Sequence, residues 1–447
     1  MKARWMAAMG LGLLLGIGGC KTAQEVELPP DYSRPLGPGQ LALRKVTDPA
    51  DIPSMTIACF EVDRLREAIN NSLSYMSKPS SQKFYPYGDI THAQVIASLE
   101  AFGQLLDSGL TGKALEAAIR EKFDIYTSVG WDDKGTVLFT GYYTPIFDGS
   151  MTPTAKFQYP LYKQPTDLVK GDNGEILGRK GAGGQFTPYP SRAELEDSGE
   201  LKGQELIWLG DPFEVYIAHV QGSAKIRTTD GKLVTVSYSA NNGHDYTSVG
   251  QAMVKSGKIK ADQLSLKSMM TYFKAHPAEV NPSVRANPRF VFFRADEGEP
   301  RGSLNEPVIA LRTIATDKSI YPRASVAFLK STLPRAVGTQ TVTKPFQRFV
   351  LDQDTGGAIR AAGRCDVYMG QGDEAGELAG KTYQEGRLYY FFLKTQQVPG
   401  PGLEKKPAEP LPGGINTTPP VPGKELDKKL VEPAKGGVKV QTKPMTK

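Results

Sequence analysis

The densest chemistry of the sequence lies in the stretch FVLDQDTGGAIRAAGRCDVYMGQGDEAGELAGKTYQEGRLYYFFLK, residues 349–394. Asp354 and Asp366 stand within short β-like runs, and glycines follow each of them closely, at positions 356, 357, 370 and 372. Glycine permits tight turns and lets a ligand approach the backbone. The pattern therefore predicts that both acids lie at the edge of a groove rather than in open solvent.

A third acid, Asp317, ends an apolar run ahead of Pro322. Three aspartates in this order, the last two in the frame DTGGAI…DVYMG, resemble the C-terminal 3D domain, which is named for its three aspartates. With FTGYYTP (139–145) and HVQGSAKIRTTDG (219–231), the chain is similar to the membrane-bound lytic transglycosylases of the MltA family over residues 50–395. One departure is IYPRA (320–324), where the family has an I-P-L-G-T-like turn, so the geometry of this loop stays open.

A chain of 447 residues exceeds the usual size of one domain, which favours two domains plus tails. The resemblance implies a mainly β fold with accessory helices, in which a double-psi β-barrel carries an inserted smaller β domain and a groove lies between them. The barrel would comprise residues 50–144 and 286–395, with the 3D motif at about 310–395. The MltA-specific insert would be residues 145–285.

Local periodicity agrees with this division. Helical spacing is present at 57–77, where Phe60, Leu65, Ile69 and Leu73 recur, at 91–106 with Thr91 as N-cap, and at 111–123. After Gly135 the pattern alternates, and residues 145–285 resemble strands and turns apart from a helical patch at 264–275. Asp230–Gly231 predicts a hairpin turn, and NPRFVFFRA (287–295) predicts a strand.

The N-terminus predicts export. Lys2 and Arg4 precede an apolar run at 6–19, which is shorter than the ~20 residues of a membrane span. Small residues before Cys20 resemble a lipobox, so residues 1–20 would be a lipoprotein signal peptide, Cys20 the lipidated residue and 21–49 a tether. Since no aspartate follows Cys20, the resemblance implies an outer membrane lipoprotein facing the periplasm. The alternative is an ordinary signal peptide with a chance cysteine.

The C-terminal residues 396–447 contain no aromatic residue and are rich in Pro, Gly and Lys, which predicts a disordered tail. The tail and the signal peptide hold the net charge of +6, so the part between them is near neutral and gives no indication of nucleic-acid binding. The tail would be a spacer or would touch anionic wall polymers or membrane. Cys59 and Cys365 are either paired or free, which spacing does not decide.

Asp366 matches the family's catalytic position. The resemblance implies that this one acid protonates the leaving oxygen and then acts as base on the sugar's own C6 hydroxyl, which yields a 1,6-anhydromuramyl end. Such an acid must begin neutral, in a partly desolvated site that raises its pKa. The alternative is an aspartate that caps a turn. Asp354 and Asp317 match the other two aspartates and are expected to be supporting or structural.

The residues expected to bind sugar are polar or aromatic and occur in three short stretches. FTGYYTP supplies hydroxyls and rings, and strand alternation indicates that one of its two tyrosines belongs to the core. Amides and hydroxyls suit sugar hydroxyls and N-acetyl groups, although asparagines beside glycine often only form turns. The set is Thr140, Tyr142, Tyr143, Thr144, Gln221, Ser223, Tyr238, Asn241, Asn242 and Tyr246.

Neither a cofactor nor a metal is expected. Gly370–Ala375 formally matches a dinucleotide-binding pattern, but two acids within it would repel pyrophosphate, and the four histidines show no ligand spacing. The activity that the resemblance implies is cleavage of the β-1,4 bond between N-acetylmuramic acid and N-acetylglucosamine in peptidoglycan strands. The alternatives are a non-catalytic peptidoglycan-binding lipoprotein and a polysaccharide hydrolase on the same barrel. Partner proteins in wall synthesis or division stay open.

Overall fold

A computed structural model describes residues 30–171, 175–338 and 340–395. The predicted signal peptide, Cys20 and the predicted tail at 396–447 lie outside the described residues. Within the predicted tether, residues from 30 onward contact the folded domain. Its residues 43–45 form a strand that pairs with residues 126–128, and the hydroxyl of Tyr32 donates to Glu385 at 2.8 Å.

The helices lie mostly around the strands rather than among them. They are α1 (Leu65–Met76), α2 (His92–Asp107), α3 (Gly112–Lys122), α4 (Arg192–Ser198), α5 (Pro212–Gln221), α6 (Val249–Lys255), α7 (Leu266–Ala275), α8 (Val280–Val284) and α9 (Gly372–Gly380). Short 3₁₀ turns occupy Pro49–Asp51, Pro79–Phe84, Ala182–Gly184, Ala261–Gln263 and Pro277–Glu279.

Two helix starts show what local sequence decides. The predicted N-cap of α2 is confirmed, since the Thr91 hydroxyl accepts from the Gln94 amide at 3.1 Å. The predicted start of the first helix is wrong. Arg64 has a left-handed φ of 56°, so α1 begins only at Leu65, and Phe60 lies outside it with 65% of its surface exposed.

The strands of the described residues form three sheets. In chain order they are β1 (Leu43–Lys45), β2 (Phe123–Ser128), β3 (Val137–Thr144), β4 (Ile146–Ser150), β5 (Tyr159–Tyr162), β6 (Leu168–Lys170), β7 (Ile176–Lys180), β8 (Phe186–Thr187), β9 (Glu205–Leu209), β10 (Ser223–Thr228), β11 (Leu233–Asn241), β12 (Val291–Asp296), β13 (Thr313–Ala315), β14 (Val326–Val337), β15 (Gln340–Asp354), β16 (Arg364–Gln371) and β17 (Tyr383–Leu393).

The largest sheet has the order β1-β2-β17-β14-β15-β13-β16-β3, and β17 also pairs with β3. This extra pairing closes the strands from β17 to β3 into a six-stranded barrel. Aromatic rings pack where α2 meets the barrel, and Phe102 contacts Phe349 and Phe391 with ring centroids 5.1 and 6.1 Å apart. Edge-to-face contacts of this kind stabilise a core beyond the area they bury.

The second sheet has the order β12-β11-β10-β4-β9-β5, and a small third sheet contains β6, β7 and β8. Strand β3 of the barrel continues into β4 of the second sheet with only Pro145 between them. The predicted hairpin at Asp230–Gly231 is confirmed, since β10 and β11 are antiparallel and Gly231 has a φ of 82°. The predicted fold class, mainly β with an inserted β domain, is likewise confirmed.

Two details of the second sheet differ from the sequence pattern. Residues 212–221, within a stretch that resembles strands and turns, form the helix α5, because Asp211 caps it through the Phe213 amide at 2.7 Å and Pro212 suits its first position. Strand β12 follows the predicted boundary at residue 285 in the sequence. Because it pairs with β11, it belongs to the second sheet rather than to the barrel. The exact domain limits therefore stay a prediction.

Candidate active site

The two aspartates of the 3D frame lie in one row across the barrel. Ala315 on β13 is in register with Asp354 on β15 on one side and with Asp366 on β16 on the other. Asp366 is in turn in register with Thr140 on β3. Because residues in register on adjacent strands present their side chains to the same face, the two carboxylates share a face with only an alanine between them.

Asp366 is half-buried and accepts a hydrogen bond from the hydroxyl of Thr140. The same hydroxyl accepts from Arg364 Nη2 at 3.2 Å. Burial raises the pKa of Asp366 above its usual value, and the negative charge of Asp354 acts in the same direction. Arg364 and the Thr140 hydrogen bond lower it, but burial dominates, so this carboxyl holds a proton more readily than an aspartate in water.

Asp354 has more hydrogen-bond donors than Asp366. The Tyr142 hydroxyl donates to it at 2.8 Å, and the backbone amides of Ser303 and Thr355 each donate at 2.8 Å. Burial raises the pKa of Asp354, while these three donors lower it by stabilising the charged form. Of the two acids, Asp354 is therefore the better placed to remain a carboxylate and Asp366 the better placed to carry a proton.

Both acids open into a cleft of about 320 Å³ between the barrel and the second sheet. The cleft is defined by side chains of the barrel and the insert and by the glycine-rich loop that follows β15. Its walls include Tyr142, Ala315, Asp354 and Asp366 from the barrel, Gln221, Ser223, Tyr238 and Tyr246 from the insert, and the loop residues Gly356, Gly357 and Arg360. Seven of these residues are predicted site residues, and the fold brings them together from positions more than 200 residues apart. They are Tyr142, Gln221, Ser223, Tyr238, Tyr246, Asp354 and Asp366.

Comparison with known proteins decides the family. Residues 138–294 match the family model of the MltA specific insert domain, and residues 312–392 match that of the 3D domain. The chain is 32% identical over 283 residues to membrane-bound lytic murein transglycosylase A of Escherichia coli K12. The aligned region covers 62% of this chain and 71% of that protein. The chain belongs to the MltA family.

Further members of the family are similar in sequence and in fold. The Vibrio cholerae membrane-bound lytic murein transglycosylase A is 30% identical over 277 residues, covering 61% of this chain and 70% of that protein. The crystal structure of E. coli MltA with bound chitohexaose has a TM-score of 0.61 at 26% identity, covering 81% and 96% of the two chains. The Agrobacterium tumefaciens membrane-bound lytic murein transglycosylase has a TM-score of 0.65, again at 26% identity, covering 79% and 98%.

In this member of the MltA family the two adjacent tyrosines of β3 have different surroundings. Tyr142 lines the cleft, whereas Tyr143 is buried in the barrel core, with 6% of its surface exposed. Thr144 is also buried and lies 2.9 Å from the Tyr368 hydroxyl and 3.3 Å from the Ser223 hydroxyl. Thr140 lies just behind the cleft wall, where it contacts Asp366.

The two asparagines expected to bind sugar lie behind the cleft. Asn241 donates to the Tyr238 hydroxyl at 2.6 Å, so it orients a residue that lines the cleft. Asn242 donates to the carbonyls of Pro190 and Pro288 and accepts from the Phe290 amide at 2.8 Å. Three hydrogen bonds thus hold its amide group between the Pro190 segment and the Pro288–Phe290 segment.

The third aspartate of the motif is outside the cleft. Asp317 accepts from the amide and hydroxyl of Ser319 at 3.1 and 2.6 Å, and from the Ala361 amide at 3.0 Å. It thereby joins the loop after β13 to the loop before β16. The same loop contains Ala324 with a φ of 61°, so an alanine takes the left-handed conformation close to where the family has glycine.

Several residues of the site have no signal in the sequence. Arg289, Arg301 and Arg360 line the cleft, although the first two lie in no motif and the third follows GGAI only as a flanking residue. Beneath the aspartate row, the fully buried Asp352 is ion-paired with Lys318 and accepts from Tyr390 at 2.8 Å. Cys59 and Cys365 are both buried and free, which answers the open question of their pairing.

Within residues 30–171, 175–338 and 340–395, the structure contains no helix with the length and apolar character to cross a bilayer.

Proposed function

We propose that this chain is a peptidoglycan lytic transglycosylase that cleaves the β-1,4 bond between N-acetylmuramic acid and N-acetylglucosamine and leaves a 1,6-anhydromuramyl end. The observation that carries this proposal is the position of Asp366, a half-buried carboxyl with a raised pKa at the base of a cleft. Family membership supports it, since the similar proteins from E. coli and V. cholerae are lytic murein transglycosylases.

In this mechanism, Asp366 begins protonated and donates its proton to the glycosidic oxygen as the bond from that oxygen to the muramyl C1 breaks. The C6 hydroxyl of the same muramyl residue then attacks C1, and its proton returns to Asp366. The carboxyl is therefore regenerated in each turnover, and no water enters the products. General acid and base catalysis of this kind contributes about 10²- to 10⁴-fold in rate.

Asp354 has a different role in this proposal. Its three hydrogen-bond donors favour the ionised form, and its charge on the same face of the sheet stabilises the positive charge that develops on the sugar ring. Ala315 between the two acids has only a methyl group as its side chain, which leaves room for a pyranose ring over the row. Tyr142 lines the same wall and is available to stack on a sugar.

The substrate is proposed to be a glycan strand. The solved E. coli relative has chitohexaose bound, a β-1,4 polymer of N-acetylglucosamine that shares its backbone with peptidoglycan. Gln221, Ser223, Tyr238 and Tyr246 supply amide and hydroxyl groups along the insert wall of the cleft for such a polymer. Asp317 is assigned a structural role, because all of its contacts lie within the loops it joins.

The location of the enzyme is proposed from its N-terminus. Cys20 would carry the lipid that anchors the chain to the outer membrane, with the folded part in the periplasm next to its substrate. The names of the relatives describe them as membrane-bound, which supports an anchor. We also propose that the inserted domain begins at about residue 145 and ends at about residue 285.

The test is mass analysis of the muropeptides that the chain beginning at residue 21 releases from purified sacculi. We expect anhydro-muropeptides from the parent chain and none from Asp366→Asn. Asp373→Asn is a matched control, because Asp373 is exposed on the first turn of α9, outside the cleft, and its variant should keep full activity. Reducing ends as products would instead indicate a hydrolase, and binding without release would indicate a non-catalytic wall protein.

A further inference from the structure

The cleft contains basic side chains that the proposed mechanism does not use. Arg289, Arg301 and Arg360 line it together with the two acids, so one part of the wall is cationic while the reacting row is anionic. Guanidinium groups can donate to sugar hydroxyls, but their positive charge has no counterpart on a neutral sugar polymer. Their presence therefore requires an explanation beyond the recognition of the glycan backbone.

Arg289 is half-buried and lacks a carboxylate partner. Its Nη1 donates to the His244 carbonyl at 3.0 Å, and no Asp or Glu of the described residues lies within 4.0 Å of its guanidinium. Its side chain lies against Gly357, where an added Cβ would be 3.2 Å from Nε and 3.3 Å from Cζ. A buried cation is normally paired, because its removal from water is otherwise costly.

Arg360 brings a second positive charge close to the first. Its side chain is 57% exposed, and its Nη1 lies 4.0 Å from Asp317, at the limit of an ion pair. Burial lowers the pKa of Arg289, and the repulsion from Arg360 acts in the same direction, while Tyr238 and Asp245 act against it. Arg360 has a carboxylate only at 4.0 Å, and Arg289 is near the charge of Asp245 but has no ion pair with it, so both cations can still pair with an anion in the cleft.

We propose that Arg289 and Arg360 form a carboxylate subsite of the cleft, which binds the acidic substituent of a muramyl residue. This inference rests on the proposed function. Arginine suits the role because its planar donors match a carboxylate in a bidentate arrangement. N-acetylmuramic acid differs from N-acetylglucosamine by a lactyl ether, whose carboxyl is either free or joined to a stem peptide that carries carboxyls of its own. The shared chemistry is a carboxylate held beside the sugar ring.

The subsite has a consequence for which bond is cut. In peptidoglycan, N-acetylmuramic acid and N-acetylglucosamine alternate, so a strand has two kinds of β-1,4 bond. Shifting the strand along the cleft by one sugar places the other kind of bond at Asp366. A carboxylate held by Arg289 and Arg360 fixes every second sugar at one place in the cleft. The subsite therefore selects the register of the strand, so that the muramyl C1 lies at the acid.

The test is a binding measurement by titration calorimetry in the Asp366→Asn background, where ligands are not consumed. Three probes are compared: neutral chitohexaose, a peptide-free muramyl glycan with free lactyl carboxyls, and a muramyl glycan that carries stem peptides. We expect at least one acidic glycan to bind about tenfold or more tightly than chitohexaose at low salt, since charge-assisted hydrogen bonds are of that strength. The acidic glycan that is preferred identifies the source of the carboxylate.

Adding Arg289→Gln should remove this preference while leaving the affinity for chitohexaose within about twofold. Adding Arg360→Gln should weaken it, and because that side chain is exposed the variant tests the proposal even if Arg289→Gln fails to fold. Arg289→Lys keeps the charge without the planar donors and should retain only part of the preference. Arg227→Gln is the matched control for net charge, because Arg227 is exposed and paired with Asp148 at 3.1 Å away from the cleft.

Equal affinity of the three probes in the Asp366→Asn chain would overturn the subsite, as would a preference that survives both arginine variants. Equal weakening of all probes by Arg289→Gln would assign Arg289 a structural role and also overturn it. Failure of the proposed function has a different signature, in which the parent chain releases no anhydro-muropeptide or none of the probes binds at all.

Discussion

Asp354 and Asp366 are both in register with the same residue, Ala315, from opposite sides. Since adjacent strands lie about 4.8 Å apart, the backbones of the two acids are separated by roughly 10 Å. Across this separation, the charge of Asp354 still raises the pKa of Asp366. The pKa of Asp366 can therefore be raised by a change at Thr140 and lowered by a change at Asp354.

Replacing Thr140 by valine should move the alkaline limb of the rate profile to higher pH. The Thr140 hydrogen bond lowers the pKa of Asp366, so its loss raises that pKa, and the protonated form persists to higher pH. Loss of a hydrogen bond to a charged group is worth about 1.5–3 kcal/mol, so kcat should also fall by about ten- to a hundredfold. The measurement is kcat/KM for muropeptide release against pH. Thr144→Val, a buried change on the same strand, should leave the limb in place.

Replacing Asp354 by asparagine should move the same limb to lower pH. The variant removes a negative charge that raises the pKa of Asp366, while its amide oxygen can still accept from Tyr142. We expect a smaller loss of kcat than the about 10²- to 10⁴-fold that follows removal of a general acid. The same pH series measures both. A limb that does not move, or that moves upward, would show that the two acids are not electrostatically linked.

The stability of Asp366→Asn should depend on pH in a defined direction. Burial raises the pKa of Asp366 in the folded state above its ordinary value of 3.8, so the folded chain binds this proton more tightly than the unfolded chain. That contribution to stability is complete below pH 3.8 and is lost as the pH rises through the folded pKa. At pH 7 the variant should therefore melt at the same temperature as the parent or above it, and below pH 3.8 the difference should disappear.

Asp230→Asn provides a control of opposite sign for that measurement. Hydrogen bonds from Thr228 and Lys232 lower the pKa of Asp230 from 3.8 to about 2. The charged form of Asp230 therefore stabilises the fold at pH values above 3.8. This variant should be less stable than the parent at pH 7. If both variants shift the melting temperature in the same direction, the assigned environment of Asp366 is incorrect.

Replacing Lys318 by methionine should destabilise the fold severely. Lys318 is ion-paired with Asp352, and their side chains are 5% and 0% exposed. Removing one partner of a buried pair leaves an uncompensated charge and costs about 3–5 kcal/mol of unfolding free energy. Urea denaturation at pH 7 measures this loss. Lys45→Met breaks an exposed pair with Asp124 and should cost less than about 1 kcal/mol, so similar losses in the two variants would contradict the prediction.

Replacing Gly141 by alanine should loosen the contact between β3 and α9. An added Cβ would be 2.8 Å from the Ala379 Cα, which is backbone and cannot rotate away. Overpacking of this kind costs about 1–3 kcal/mol. The urea midpoint should fall accordingly. At Gly181 an added Cβ would meet only the Gln185 carbonyl at 3.5 Å, so Gly181→Ala should leave the midpoint unchanged.

The sequence predicts the parts of this site that local pattern determines. The glycines after Asp354 and Asp366 indicate a groove, the Asp230–Gly231 turn fixes the β10–β11 hairpin, and Thr91 begins α2. These features depend on residues that are close in sequence. The helix α5 was not anticipated, because its apolar residues resemble those of a strand and only the Asp211–Pro212 cap distinguishes it.

What the sequence cannot predict depends on register between distant strands. The row of Asp354, Ala315 and Asp366 requires β13 to pair with two strands at one residue, and a shift of one position would turn a side chain to the other face. Arg289 approaches Arg360 only because the insert returns its chain to the loop after β15. A single arginine is not part of a spaced motif, so the sequence does not predict that Arg289 and Arg360 lie close together. For the same reason it does not predict the ion pair of Lys318 with Asp352.

The passage of β3 into β4 through Pro145 has a mechanical consequence. One continuous segment belongs to both walls of the cleft, and its joint is stiff, since proline fixes φ and the Pro145 carbonyl accepts from the Lys225 amide at 2.8 Å. Thr140 and Tyr142 lie within a few residues of this joint. Because this joint is stiff, it holds the barrel wall and the insert wall at a fixed separation beside the reacting groups, so that Asp366 keeps its position relative to a strand in the cleft.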